Sequence, residues 1–234
     1  MKKYPYLALS ILIILFSIIF IPKIINKISL NDTVASSRSV KPGLRTLSYI
    51  NINGQNRKIP KFILLNQDSL FISETDYLGK VFLAEFFFSR CPTICPIMNK
   101  NMKEIYDFYK DEEKFAIASF TIDPEHDTPR VLKLFSENYI ENSLKWNFLT
   151  GPKSQIFSLA NNGFNIFAAA NPNIIGGFEH QGYFALIDKN GYIRSRDDKF
   201  GNPIVYYLGI DDNNAPIQGI EMLKEDISLL LKEK

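Results

Sequence analysis

Hydrophobic positions along this chain change their period several times, and each change marks an element. The first feature is an almost unbroken apolar run from Tyr6 to Ile21, interrupted only by Ser10 and Ser17. Sixteen helical residues span about 24 Å, slightly short of a bilayer crossing, and Ile24 and Ile25 extend the run past Pro22 and Lys23. The run is apolar on every face, which disfavours a buried core helix. No small-x-small cleavage site follows Ile21 directly, and no early Cys is present to carry a lipid. The reading is therefore an uncleaved signal anchor over 1–28, one transmembrane helix. A polar, small-residue tether follows over 29–43, and a domain fills 44–234.

Within that domain the pattern alternates between periods of two and of 3.6. Segments 47–52 and 57–59 flank Asn53-Gly54, a hairpin turn pair, and 62–65 and 70–72 flank Asn66-Gln67-Asp68. Segment 81–88 is apolar apart from Glu85, as a strand buried on both faces would be. Met98, Met102, Ile105 and Tyr109 then form one helical stripe, and 115–121 reads as a second buried strand, parallel to the first. Thr128-Pro129 is a helix start, with Val131, Leu132 and Phe135 on its apolar side. A strand over 146–149 and a short helix over 153–160 follow. Segments 183–187 and 192–195 pair across Asp188-Lys189-Asn190-Gly191, and Ile220, Leu223, Ile227 and Leu230 mark a closing helix. The sum is an α/β domain, a mixed sheet with helices on both faces and a hairpin at its start.

Charge changes this picture little. The four lysines of residues 1–30 account for the excess of 27 basic over 25 acidic residues; without them 23 face 25, a net of −2. No nucleic-acid partner is called for. The short tail before the anchor argues that the long C-terminal part is the exported one, which suits a bacterial inner membrane with the domain in the periplasm.

The candidate chemistry lies in Ser89-Arg90-Cys91-Pro92-Thr93-Ile94-Cys95-Pro96, which holds both cysteines of the chain at a strand-to-helix junction. Such junctions line the carboxyl edge of a parallel sheet, and a helix amino terminus favours thiolate. Arg90 adds positive charge beside Cys91. Residues four apart on a helical turn share a face, so the two sulfurs can chelate a soft metal or close a disulfide. A purely structural disulfide over so short a loop stabilises weakly. Two cysteines are too few for a four-cysteine zinc or iron–sulfur site, so copper or zinc would need a further ligand. His126 and His180 are the two histidines. His180 follows a glycine pair and precedes a strand that can neighbour the one ending at Cys91, although an ordinary surface histidine would look similar. His126, among charged residues, reads as exposed and non-ligating.

These motifs together resemble the Sco/SenC copper chaperones, over roughly residues 60–195. The segment from Phe88 to Pro96 is similar to that family's metal-binding motif. Asp123-Pro124-Glu125-His126-Asp127-Thr128-Pro129 is similar to its acidic loop, and Glu179-His180 to its Asp-His element. The resemblance implies a thioredoxin-like fold and copper, as Cu(I) or Cu(II), bound by Cys91, Cys95 and His180, with Asp123 near the site. It implies delivery of that copper to the dinuclear copper site of a cytochrome c oxidase subunit, or reduction of that site's thiols by Cys91 and Cys95. Glu179 stands where the family usually has Asp, and His126 where Arg is more usual. Two rivals share the fold: a membrane-anchored thiol–disulfide oxidoreductase without a metal, and a peroxidase. The first is disfavoured because the stretch facing the cysteines carries Glu179-His180 and no Pro.

Overall fold

The computed structural model describes residues 9–10, 12–22, 46–140 and 144–233. Residues 1–45 form one compact unit and 46–234 another. In the first, 12–22 is helical and its large apolar side chains are exposed. Among the described residues no helix is long and apolar enough to cross a membrane, so the expected spanning helix is not shown. The tether expected over 29–43 lies outside the described residues.

The second unit is built on three parallel strands, β6 (Val81–Phe87), β7 (Phe115–Thr121) and β8 (Trp146–Leu149), every residue of which is buried. Their near-continuous apolar character follows from that double burial. β6 pairs with β7 through all seven residues, from Val81↔Phe115 to Phe87↔Thr121. On the other side of β6 lies antiparallel β11 (Tyr183–Ile187), in the register Ala185↔Ala84. β12 (Ile193–Ser195) and β1 (Ser48–Tyr49) continue the sheet beyond β11, and β13 (Tyr207–Leu208) pairs with the start of β11.

Alternate strand residues serve opposite faces. Phe86 and Phe120 stack together and meet Phe164 and Phe62 on one side. Phe87, Trp146 and Phe148 meet Phe135, Tyr139 and Tyr106 on the other. That second side is covered by α1 (Cys95–Tyr109) and α2 (Pro129–Ser136), and α4 (Gly219–Lys232) adjoins α1 through the Tyr109 hydroxyl, 2.7 Å from that of Ser228. The predicted cap is present: the Thr128 hydroxyl accepts from Val131 N–H at 3.4 Å, with Pro129 first in the helix.

Several expectations change in detail. The first hairpin is confined to β2 (Asn51–Ile52) and β3 (Gln55–Asn56) around Asn53 and Gly54, both at positive φ. Residues 48–49 leave it to join β12 instead. The second, β4 (Ile63–Leu65) with β5 (Phe71–Ser73), runs into a 3-10 turn at Glu74–Tyr77 opened by a Ser73–Asp76 capping box. α3 (Lys153–Ser158) unwinds into a π-turn, Leu159–Phe164, whose carbonyls are taken by Arg57 and Tyr206. Finally, His180 lies on a strand of its own, ahead of β11. β9 (Ala168–Ala170) and β10 (Phe178–His180) form a separate antiparallel ribbon.

Candidate metal centre

The register of the sheet brings the site together. β11 runs antiparallel to β6, so the residues just before β11 lie beside those just after β6. Those are the ribbon end carrying His180 and the turn carrying Cys91. Cys95 opens α1, with Pro96 in its first turn, where a helix tolerates a missing N–H. Cys91 precedes the helix, and its N–H bonds the Phe88 carbonyl at 3.2 Å. The sulfurs therefore meet across a turn, not along one helical face as the spacing alone suggested.

Both cysteines are buried, and both are free thiols. Cys95 Sγ lies 3.2 Å from His180 Nε2, and the ligand atoms of Cys91, Cys95 and His180 all fall within 4.8 Å of one another. His180 Nδ1 is 3.2 Å from the Gln181 carbonyl, an acceptor, so Nδ1 carries a proton while Nε2 faces the sulfurs. The Phe88 ring stands edge-on to the imidazole at 6.0 Å and near Phe178 at 5.4 Å, walling the site on its apolar side. Gly176 is required here: its φ is +92°, and a Cβ would lie 3.0 Å from Phe88 and 3.3 Å from Pro92. A cleft of about 450 Å³, lined by Ile174, Ile175 and Phe178 among others, opens the site to solvent.

The two thiols differ in character. Cys91 is held far below the ordinary thiol range, first by hydrogen bonding from Cys95 and then, against the cost of burial, by His180 and the N–H groups of Thr93 and Cys95. Cys95 is pushed up, by that same bond to Cys91 and by burial. Arg90 is not the cause, contrary to the sequence expectation: its guanidinium pairs with Asp123 at 2.7 Å.

Asp123 and His126, the other residues of interest, do not join this group. Asp123 is buried against Arg90, and the side chain of His126 is 42% exposed and 2.9 Å from Asp127. Glu85 lies wholly buried in β6. One carboxylate oxygen accepts from the Ser119 hydroxyl at 2.6 Å, the other has no partner, and burial pushes its pKa up to about 7. Ser89 and Asp127, which hold the cysteine turn in place, carried no signal of that role in the sequence, because they are 38 residues apart.

A dithiol at the end of a buried parallel strand, opening a helix beneath a mixed sheet, defines a thioredoxin-like protein with a soft, three-donor site. The profile of the SCO1/SenC family matches residues 51–209, and the chain belongs to that family. Over 140 residues it is 35% identical to the SCO1 protein homolog of Bacillus subtilis, covering 59% of this chain and 72% of that protein. A SCO1/SenC family lipoprotein of Bacillus anthracis superposes with a TM-score of 0.65 at 30% identity, covering 81% of this chain and 100% of the other. BsSco, whose structure identified a disulfide switch and which belongs to the Sco family of cytochrome c oxidase assembly proteins, gives 0.61 at 29% identity, covering 80% and 99%. Copper-bound ScoI of Bradyrhizobium japonicum shares the fold, at a TM-score of 0.57 and 20% identity over 74% and 99%.

Proposed function

We propose that this protein is a copper metallochaperone. It holds Cu(I) through Cys91, Cys95 and His180 and passes it to the dinuclear copper site of a cytochrome c oxidase subunit. The observation that carries the reading is the convergence of two buried free thiols and one imidazole nitrogen within 4.8 Å. Two thiolates with an imidazole form a soft donor set, suited to Cu(I). Three protein ligands leave the ion open to an incoming donor, so transfer proceeds by ligand exchange. Membership of a family that includes cytochrome c oxidase assembly proteins supports the acceptor. The apolar segment within 1–28 anchors the domain at a bacterial inner membrane, facing the periplasm, and so raises its effective concentration near a membrane-bound acceptor.

A second activity rests on the same thiols. With no metal bound, the low-pKa Cys91 is a nucleophile and Cys95 lies within reach to resolve a mixed disulfide, so the pair also reduces an acceptor's disulfide.

The test is Cu(I) competition against a chromophoric chelator with the full chain. The parent should bind one Cu(I). Cys91→Ser, Cys95→Ser and His180→Ala should each lose more affinity than the roughly 10–100-fold that removal of an outer supporting residue costs. Parental affinity in any two of these variants would show that the site is misassigned. Transfer of copper to an isolated oxidase copper domain, set against reduction of a generic protein disulfide, separates the chaperone from a general oxidoreductase.

A further inference from the structure

One other group of potential metal ligands converges among the described residues: Asp123, His126 and Asp127, with ligand atoms within 4.8 Å of one another. Its carboxylates are already engaged. Asp127 is fully buried. Its Oδ2 accepts the Ser89 N–H at 3.0 Å and the Thr121 hydroxyl, while Oδ1 accepts the Ser89 hydroxyl and lies 2.9 Å from His126 Nδ1. Asp123 Oδ2 holds Arg90 Nε at 2.7 Å. Ser89 and Arg90 are the two residues immediately before Cys91.

The location explains why such tethers are needed. Thr121 ends β7 and pairs with Phe87, the last residue of β6. Beyond Phe87 the chain leaves the ladder. Among the described residues the cysteine turn has one backbone-to-backbone bond of its own before α1, from Cys91 N–H to the Phe88 carbonyl. A buried carboxylate receiving donors from both strand ends ties that turn to the sheet, and charge-assisted bonds in a dry setting are strong.

We propose that Asp127 is a positioning residue for Cys91. Through Ser89 it fixes the turn so that the Cys91 sulfur faces Cys95 and His180, and Asp123 with Arg90 adds a second, outer tether. The group is thus a brace and not a second metal site. The metal readout of this inference rests on the copper reading above; its thiol readout does not.

The test uses the full chain and the variants Asp127→Asn and Ser89→Ala. Three quantities are measured: Cu(I) affinity, the equilibrium of the Cys91–Cys95 pair with glutathione, and the urea midpoint. Asp127→Asn should weaken Cu(I) binding about 10–100-fold, the usual cost of losing an outer-sphere partner. It should also shift the thiol–disulfide equilibrium. Ser89→Ala removes a hydroxyl but spares the backbone contact, so a several-fold loss is expected at an unchanged urea midpoint. If Asp127→Asn does not fold, Ser89→Ala decides. Parental affinity and parental thiol equilibrium in Ser89→Ala would overturn the proposal. If the parent itself binds no Cu(I), the copper reading fails, and the thiol equilibrium alone judges the brace. Zinc titration of a Cys91→Ser/Cys95→Ser/His180→Ala chain provides the last arm. A bound equivalent that His126→Ala abolishes would show that the carboxylates serve a metal, and the brace would fall.

Discussion

Two charged clusters hold this domain together, and they differ in what they hold. Toward the outer strands, Arg194 on β12 and Arg196, just past its end, bind carboxylates distant in the chain. Arg194 pairs with Asp188 at 2.9 Å and Glu233 at 3.0 Å, and donates to the Leu47 carbonyl at 2.8 Å. Arg196 pairs with Asp226 at 2.8 Å and with Glu225 at 2.8 Å. Asp226 also accepts the Tyr207 hydroxyl at 2.7 Å. Both arginine side chains are 4% exposed, and together they fasten α4 and Glu233 to the sheet. At the site, the buried members are the carboxylates of Asp123 and Asp127, while the side chain of Arg90 is 54% exposed. The outer cluster joins elements that would otherwise part. The inner one orients a turn between elements already joined by β6 and β7. Charge pairing of similar geometry thus serves cohesion in one place and aim in the other.

The sharpest way to break this contrast is Asp226→Ala. Removing the buried partner leaves Arg196 with Glu225 as its one remaining carboxylate and the Tyr207 hydroxyl without its acceptor, and should cost roughly 3–5 kcal/mol, read as a lower urea midpoint. A loss of less than about 1 kcal/mol would mean the outer cluster is not cohesive.

Glu85 supplies the unpaired case. Its folded pKa of about 7 lies above its ordinary 4.5, so the folded state keeps the proton longer. Its contribution to stability is therefore complete below about pH 4.5 and is lost as pH rises through about 7. The full loss is on the order of 3 kcal/mol. Urea unfolding at pH 5 and pH 8, in a Cys91→Ser/Cys95→Ser background, should show that decline, and Glu85→Gln should flatten it. A parental slope in the Gln variant would assign the pH dependence elsewhere.

The smallest effect is a control on the brace. Thr128→Ala removes the cap of α2 one residue beyond Asp127 and should cost about 1 kcal/mol. Copper affinity should stay parental, because stability alone is not what orients the turn. An affinity loss comparable to that of Ser89→Ala would blur the distinction between aim and cohesion.

The legible part of the fold was the part whose burial is complete. β6, β7 and β8 announced themselves as apolar runs, and α1, α2 and α4 as stripes at helical spacing. The cysteines were legible from their junction, and His180 from the scarcity of histidines together with the family resemblance. The β9–β10 ribbon was not legible, because Ala168-Ala169-Ala170 has no strand character of its own and pairs only because the chain returns at Phe178. Arg194 and Arg196 escaped notice for a different reason. A charged residue in a strand ordinarily reads as solvent-facing, and the partner that reverses this reading, Asp226, is 30 residues away from Arg196. Asp127 was hidden beside an obvious helix cap.

The ribbon also bears on how such a site can change over generations. His180 owes its direction to pairing with Ala168, and side chains on a strand alternate faces with period two. A one-residue slip of that register would turn the imidazole away, leaving both sulfurs where β6, α1 and the Asp127 brace hold them. One step of register in this ribbon therefore separates the proposed three-donor metal site from a bare dithiol on the same scaffold.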